Sequence, residues 1–317
     1  EVKTDKNGRA TGVSYINKEN GREYSIKGKV VVLAASACSS ARILLNSKSK
    51  QHPNGLGNSS DLIGKYLHDS TGGDMMAFLP QLIDRKTYNE DGVGGMHVYS
   101  PWWLDNKKLD FPRGYHIEVW GGMGAPTYGT GFNVNSFNKF FGINKAGGYG
   151  DVLRADMKKY YGSTIGISGR GESVAQKTNY CEIDPNSVDK YGVPTLRFNY
   201  NWTDNEIKQA KHMQDTFEEI IHNMGGIPLW GKPGKDANYG LNKPGWIIHE
   251  VGTTRMGNDP KKSVTNQFER LHDVSNVYVV DAGPFVSQAD KNPTWTILAL
   301  AMRSSEHIVN EFKKQNF

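Results

Sequence analysis

Two unbroken apolar runs near opposite ends of the chain, VVVLAA at 30–35 and VYVV at 277–280, constrain the fold more than any other feature of the sequence. A run without polar alternation is the pattern of a strand covered on both faces, as in a parallel sheet, and parallel neighbours need a long crossover between them. The first run leads into the small residues ASACSSA and a short helical stretch, ARILLNS; the second ends at Asp281 and leads into NPTWTILALAMRSSEHIVNEFKKQ. Strand, small-residue turn and helix make one half of a nucleotide-binding crossover, although tight helix packing calls for the same small residues. One domain is therefore expected to draw on both ends of the chain, over 1–68 and 245–317. Ahead of the first run, GRATGVSYINKENGREYSIKGK reads as two strands joined at KENG with no element before them to start a domain. The expectation is a truncated or separated piece.

Between these ends, over 69–244, the pattern changes. GGDMMAFLPQLI, GGMHVYSPWWLDN, YHIEVWGGMGAPTYGTGF, TNYCEIDP and PTLRFNYNW alternate apolar and polar residues, as antiparallel strands with one wet face do. TDNEIKQAKHMQDTFEEIIHNMG predicts a helix that starts near Asp204 and Asn205, carries Ile207, Met213, Phe217 and Ile220 or Ile221 as an apolar stripe, and stops at Gly225. The expected fold class is α/β and α+β, a partial nucleotide-binding domain interleaved with a domain built on an antiparallel sheet. The Trp and Tyr content of the second domain suits stacking on sugar rings as well as plain strand packing.

Composition narrows the functions. A chain of 317 residues, 37% apolar and 11% aromatic, suits one large or two ordinary globular domains. The net charge of +5 is spread over alternating signs, without the basic run of a nucleic-acid tail. No window approaches the ~18 apolar residues of a membrane helix, and EVKTDKNGRATG lacks the charged-then-apolar order of a signal peptide. Cys38 and Cys181 have no CxxC spacing and read as buried free thiols. Neither HExxH nor GxSxG occurs. The GxG pieces at Gly92, Gly122, Gly129 and Gly169 lack the third glycine and the strand-to-helix setting of a dinucleotide fingerprint.

Two places carry candidate chemistry. In IIHEVGTTRMG, an apolar pair leads His249 into a loop broken by Gly252 and Gly257. A neutral imidazole can take the hydroxyl proton of an alcohol while the carbon gives up hydride; a loop histidine can equally be structural. Asn292 is placed to cap the last helix, with Pro293 at its first position and Ile297, Ala301, Ile308 and Phe312 along one face. The free N–H groups and dipole at that helix start suit an anion such as the N1 and O2 edge of a reduced flavin, and Asn292 can add a hydrogen bond to the alcohol oxygen. His68 and His272, each followed by aspartate, read as turn formers, and His212, His222 and His307 as helix positions that are packed or solvated.

KVVVLAASACSSARILLNS, GLGNSSDLIGKYLHDS, HEVGTTRMGNDP and NVYVVDAGPFVSQADKNPTWTILALAMRSSEHI, in this order, resemble the glucose-methanol-choline (GMC) family of flavin oxidoreductases. Within it they look most like the bacterial glucoside 3-dehydrogenase and gluconate 2-dehydrogenase large-subunit group. The resemblance covers essentially the whole chain. It implies an FAD-binding Rossmann-like domain over 1–68 and 245–317, interleaved with a substrate domain on an antiparallel sheet over 69–244. It implies His249 as catalytic base with Asn292 as its partner over the flavin. Asp281 and Ala282 would lie by the pyrophosphate and ribityl chain of FAD, and Pro293 and Thr294 would start the helix facing the isoalloxazine. Ala35 and Ser36 would lie near the adenosine half, where family members commonly carry glycine at the position of Ser36.

Family members also begin with a strand, GxGxxG and a helix, which this sequence does not contain. The resemblance therefore implies a carboxy-terminal portion whose FAD site is completed by an upstream segment or a companion chain. The implied activity is oxidation of a secondary CH–OH group of a sugar or glucoside in the periplasm, with a small helper subunit and a cytochrome c acceptor. Two rivals stay open: a cofactor-free carbohydrate-binding or assembly module, and a polyol- or choline-type alcohol oxidoreductase.

Overall fold

In the computed structural model, which describes residues 1–85, 97–100, 108–121 and 150–317, the two terminal apolar runs pair in parallel: Val31 lies opposite Val277, Val32 opposite Tyr278, and Leu33 opposite Val279. The elements in chain order are β1 (Val2–Thr4), β2 (Ala10–Ile16), β3 (Glu23–Lys27), β4 (Val31–Leu33), α1 (Ala37–Asn46), β5 (Thr71–Phe78), β6 (His97–Ser100), β7 (Tyr115–Gly121), α2 (Asp151–Tyr160), β8 (Thr164–Gly171), β9 (Tyr180–Val188), β10 (Pro194–Asn199), α3 (Asp204–Asn223), β11 (Ile227–Pro228), β12 (Val277–Val279) and α4 (Thr294–Lys313). They fall into two units, one of residues 1–70, 173–201 and 244–317, the other of 71–172 and 202–243.

The first unit joins the β4–β12 pair, the antiparallel sheet β1-β2-β3 and the hairpin β9–β10. Its core includes Leu44 and Ala41 of α1, Leu56, Leu271, Val277 and Cys181, all nearly or fully buried. On α1 the buried residues Ala37, Ser40, Ala41 and Leu44 recur at the three-to-four spacing that puts them on one helix face. One expectation fails at β4: Val31 and Leu33 are buried, but Val32 between them is 48% exposed. Successive side chains of a strand point to opposite faces, and among the described residues only one face of β4 is covered. Cys38 is half-buried rather than buried, and its thiol meets that of Cys181.

A second difference concerns 173–201, which the sequence assigns to the middle domain but which packs with the terminal segments. Backbone bonds draw it there: Cys181 N to Gly64 O and Leu67 N to Asn179 O, each 3.0 Å. Gly64 has φ +83°, and a Cβ on it would lie 2.0 Å from the Cys181 carbonyl oxygen, so only glycine fits that crossing.

The second unit is a five-stranded sheet in the order β11-β5-β8-β7-β6, antiparallel throughout, with α3 against one face. Thr203 and Glu206 form a capping box at the start of α3. Its stripe of Met213, Phe217 and Ile221 is fully buried against Met75, Ile117 and Ile167, each such side chain contributing about 1.5–3 kcal/mol. Gly169 lets the helix approach, since a Cβ there would meet Met213 Sδ at 2.7 Å. This is a packing role for the glycine of that GxG piece. The face expected to be wet is instead largely closed: Ser168 and His116 are 2% and 1% exposed. Its polar groups pair across strands, Ser168 Oγ donating to Asp74 Oδ1 and Trp120 Nε1 to Ser168 Oγ. Trp102, Trp103, Tyr128, Gly92, Gly122 and Gly129 lie outside the described residues.

Candidate active site

His249 sits where the backbone is forced out of regular structure. Ile248 before it has φ +58° and is 77% exposed; a β-branched residue in the left-handed region costs about 1–3 kcal/mol. Two anchors hold it there. The His249 N–H donates to Asp69 Oδ1 at 2.9 Å, and Val251 exchanges backbone bonds with His68 in an antiparallel bridge. Asp69 is 1% exposed, and its Oδ1 also accepts the Ser70 N–H at 2.8 Å. Burial lifts its carboxyl to about 6, against the pull of the His249 and Ser70 N–H groups, which favour the anion.

The half-buried imidazole of His249 is held at both nitrogens. Nε2 lies 3.2 Å from Asn292 Nδ2 and Nδ1 lies 3.4 Å from Ser70 Oγ. An amide nitrogen offers only hydrogens, so Nε2 is the ring nitrogen with the lone pair. The sequence placed Asn292 as a helix cap, and here it does something else. Pro293 occupies the cap of α4, no side chain caps the helix, and Ile297 N bonds to Pro293 O at 2.9 Å. Asn292 is thereby released toward His249. The expected apolar face of α4 is also altered: Ile297, Ala301 and Ile308 are half-buried, but Phe312 is 56% exposed.

The remaining expected residues gather in two places. Thr294 follows Pro293 at the exposed, uncapped start of α4, where the first N–H groups have no intrahelical acceptor. Asp281 lies two residues past β12 with its carboxylate turned inward, accepting from Ser40 Oγ and from the Gly283 N–H; burial raises its carboxyl, and the Ala35 and Ser36 N–H groups act against that rise. Ala35, Ser36 and Asp281 therefore meet at the turn between β4 and α1. Ser36 caps α1 with φ +84° and ψ 156°, a region otherwise left to glycine. Ala282 O accepts the Gly252 N–H at 3.1 Å, which ties β12 to the His249 loop. A helix start with open donors beside a base and an amide fits the electron-rich edge of a flavin.

Sequence reasoning missed Asp69, Ser70 and Gln288. They lie inside quoted motifs, but Ser70 is 179 positions from His249 and 218 from Gln288, whose Nε2 donates to it. Of the other histidines, His68 is fully buried with Nδ1 at Tyr66 O, His272 bridges Ser263 and Gly257, and His307 stacks on Phe268. Among the described residues no cluster of three or more His, Cys, Asp or Glu could hold a metal, and no helix is long and apolar enough to cross a membrane.

Comparisons with known proteins identify the family. The amino-terminal GMC oxidoreductase family model matches residues 2–71 and the carboxy-terminal one residues 177–301. The chain is 31% identical to a 2-methyl-1,2-propanediol dehydrogenase of Mycolicibacterium austroafricanum, over 97% of this chain and 52% of that protein. It is 27% identical to the gluconate 2-dehydrogenase flavoprotein of Pantoea cypripedii, over 96% of this chain and 48% of that one. Pyridoxine 4-oxidase from Mesorbium loti superposes with a TM-score of 0.57 at 15% identity, over 96% of this chain and 56% of that one, a likeness of fold. The chain thus spans about half the length of the relatives it matches. The two family models, in chain order and with His249 inside the second, show that the chain belongs to the GMC oxidoreductases, a flavin-dependent family.

Proposed function

We infer that this chain carries the proton-transfer site of an FAD-dependent dehydrogenase that oxidises a secondary CH–OH group of a sugar or glucoside. The observation that carries the reading is the convergence of His249 Nε2 and Asn292 Nδ2 at 3.2 Å. His249 takes the hydroxyl proton at Nε2, and Asn292 donates a hydrogen bond to the same oxygen, steadying the alkoxide that develops there. Bound flavin supplies the hydride acceptor. Thr294 and the two residues after it would offer it the free N–H groups of α4, with Pro293, which has none, setting the helix start; Ala35 and Ser36 would lie by its adenosine half, and Asp281 and Ala282 by its pyrophosphate and ribityl chain. The likeness to a gluconate 2-dehydrogenase flavoprotein supports the sugar class; periplasmic location, a helper subunit and a cytochrome c acceptor follow from the same family reading.

A diol substrate is the second reading, favoured by the 31% identity to a propanediol dehydrogenase. Rapid mixing of the complete flavin-bound protein with candidate alcohols tests the core claim. His249→Ala is expected to slow flavin reduction at least about 100-fold with flavin retained, the scale of a lost general base. Reduction at the wild-type rate removes His249 from the reaction.

A further inference from the structure

We propose that Ser70 and Gln288 are positioning residues that hold the His249 imidazole in the tautomer with its proton on Nδ1, leaving the Nε2 lone pair for the alcohol. This rests on the base role proposed for His249. Gln288 is 3% exposed; its Nε2 donates to Ser70 Oγ at 2.9 Å, and the same oxygen lies 3.4 Å from His249 Nδ1.

With the two amides in this orientation, counting donors gives the direction of each bond. An amide NH₂ only donates, so Gln288 fills one lone pair of the Ser70 oxygen. Asn292 also only donates, so Nε2 accepts, and the neutral ring must carry its proton on Nδ1. The second lone pair of Ser70 is then the acceptor for that proton. Take Ser70 away and the Nδ1–H tautomer loses this acceptor in a half-buried place, so the other tautomer gains on it. That form turns an N–H toward the Asn292 donor and has no lone pair at Nε2.

Gln288 reveals its role by what it lacks. Its Oε1 is buried without a partner, an arrangement that costs about 1–3 kcal/mol. A methionine or leucine would fill the same space without that cost, so the return on the amide is its bond to Ser70. Ser70 is also fixed from the backbone side, its N–H donating to Asp69, whose carboxylate holds the His249 N–H as well. One carboxylate thus sets the positions of both the ring and the hydroxyl that orients it.

The test uses the complete, flavin-bound protein selectively labelled with ¹⁵N-histidine, comparing wild type, Ser70→Ala, Ser70→Thr and Gln288→Met. His249→Ala identifies the His249 ring signals. In the absence of substrate, the wild-type ring is expected to show the Nδ1–H coupling pattern, and Ser70→Ala a mixture with the Nε2–H form. In rapid mixing with methyl glucoside, Ser70→Ala is expected to reduce flavin at least about tenfold more slowly with KM kept, a part of what the base itself supplies. Ser70→Thr restores both signals, and Gln288→Met falls between. An Nε2–H pattern in wild type overturns the proposal. So does a slow Ser70→Ala with an unchanged ring pattern and no rescue by threonine, which marks a merely structural role. Should Ser70→Ala not fold, Gln288→Met with a wild-type ring pattern and rate overturns it equally. If wild type is not reduced by methyl glucoside, or His249→Ala is reduced normally, the functional reading falls while the ring pattern still decides the tautomer.

Discussion

On β7 the imidazole of His116 meets a carboxylate, Glu118 Oε1, at 3.0 Å, with the two side chains 1% and 7% exposed. In the loop after residue 244, the half-exposed imidazole of His249 meets an amide at 3.2 Å. A search for a histidine with an orienting acid would choose the first pair. Its position argues otherwise. Residues two apart on a strand share a face, so the His116–Glu118 contact follows from local geometry, and neither group is open to a substrate. His249 has a neutral partner, a hydroxyl behind it and a half-exposed ring. What makes a base is access and a lone pair held at the right nitrogen, more than the charge of its neighbour.

The largest expected difference between these histidines is kinetic. His116→Leu should leave flavin reduction near the wild-type rate while lowering unfolding free energy by about 3 kcal/mol in urea titration, because Glu118 then keeps its buried charge without that partner. A folded His116→Leu protein that loses flavin reduction as His249→Ala does would break the contrast.

A second buried acid sharpens it. Glu269 is fully buried; its Oε2 takes the Ser304 hydroxyl at 2.6 Å, and its Oε1 has no partner. Burial lifts its carboxyl from 4.5 to about 7. The folded chain therefore keeps a proton that the unfolded chain releases across this window, and stability falls as pH rises from 4.5 to 7. Over that range wild type should lose roughly 3 kcal/mol relative to Glu269→Gln. Parallel stability curves for the two proteins would show that Glu269 is charged when folded.

The smallest effect is backbone strain away from His249. Ser36→Gly should raise the thermal midpoint, by about 1 kcal/mol in stability, as the relief of a glycine-only conformation outweighs the added freedom of the unfolded chain. An unchanged or lower midpoint means that Ser36 is not strained.

Much of the fold was legible because its signals are local. The stripe on α3, its start near Asp204 and the alternation of β5 and β7 each lie within one segment, whereas TIGISGRG of β8, broken by three glycines, does not read as a strand. His249 and Asn292 were legible as chemistry, and their neighbours were not. Asp69 and Ser70 sit in LHDS, which reads as a turn, and nothing near Gln288 signals that its amide turns toward residue 70. Likewise 173–201 alternates like the strands before it, and its allegiance is set by backbone bonds to Gly64 and Leu67 that no window contains. The misplaced cap has the same origin, for Asn292 is a good capping residue whose side chain is claimed by a distant ring.

The pairing of Val31 with Val277 has a consequence for synthesis. At the usual 5–20 residues per second, β4 leaves the ribosome roughly 12–50 s before its partner exists. The sheet of β5 to β8, whose neighbours lie closer in sequence, can be complete by then, whereas the edge of β4 waits open to any other extended segment. Over that interval the nascent chain is prone to aggregate through β4, and a chaperone that shields this stretch until β12 emerges would raise yield without touching the finished protein.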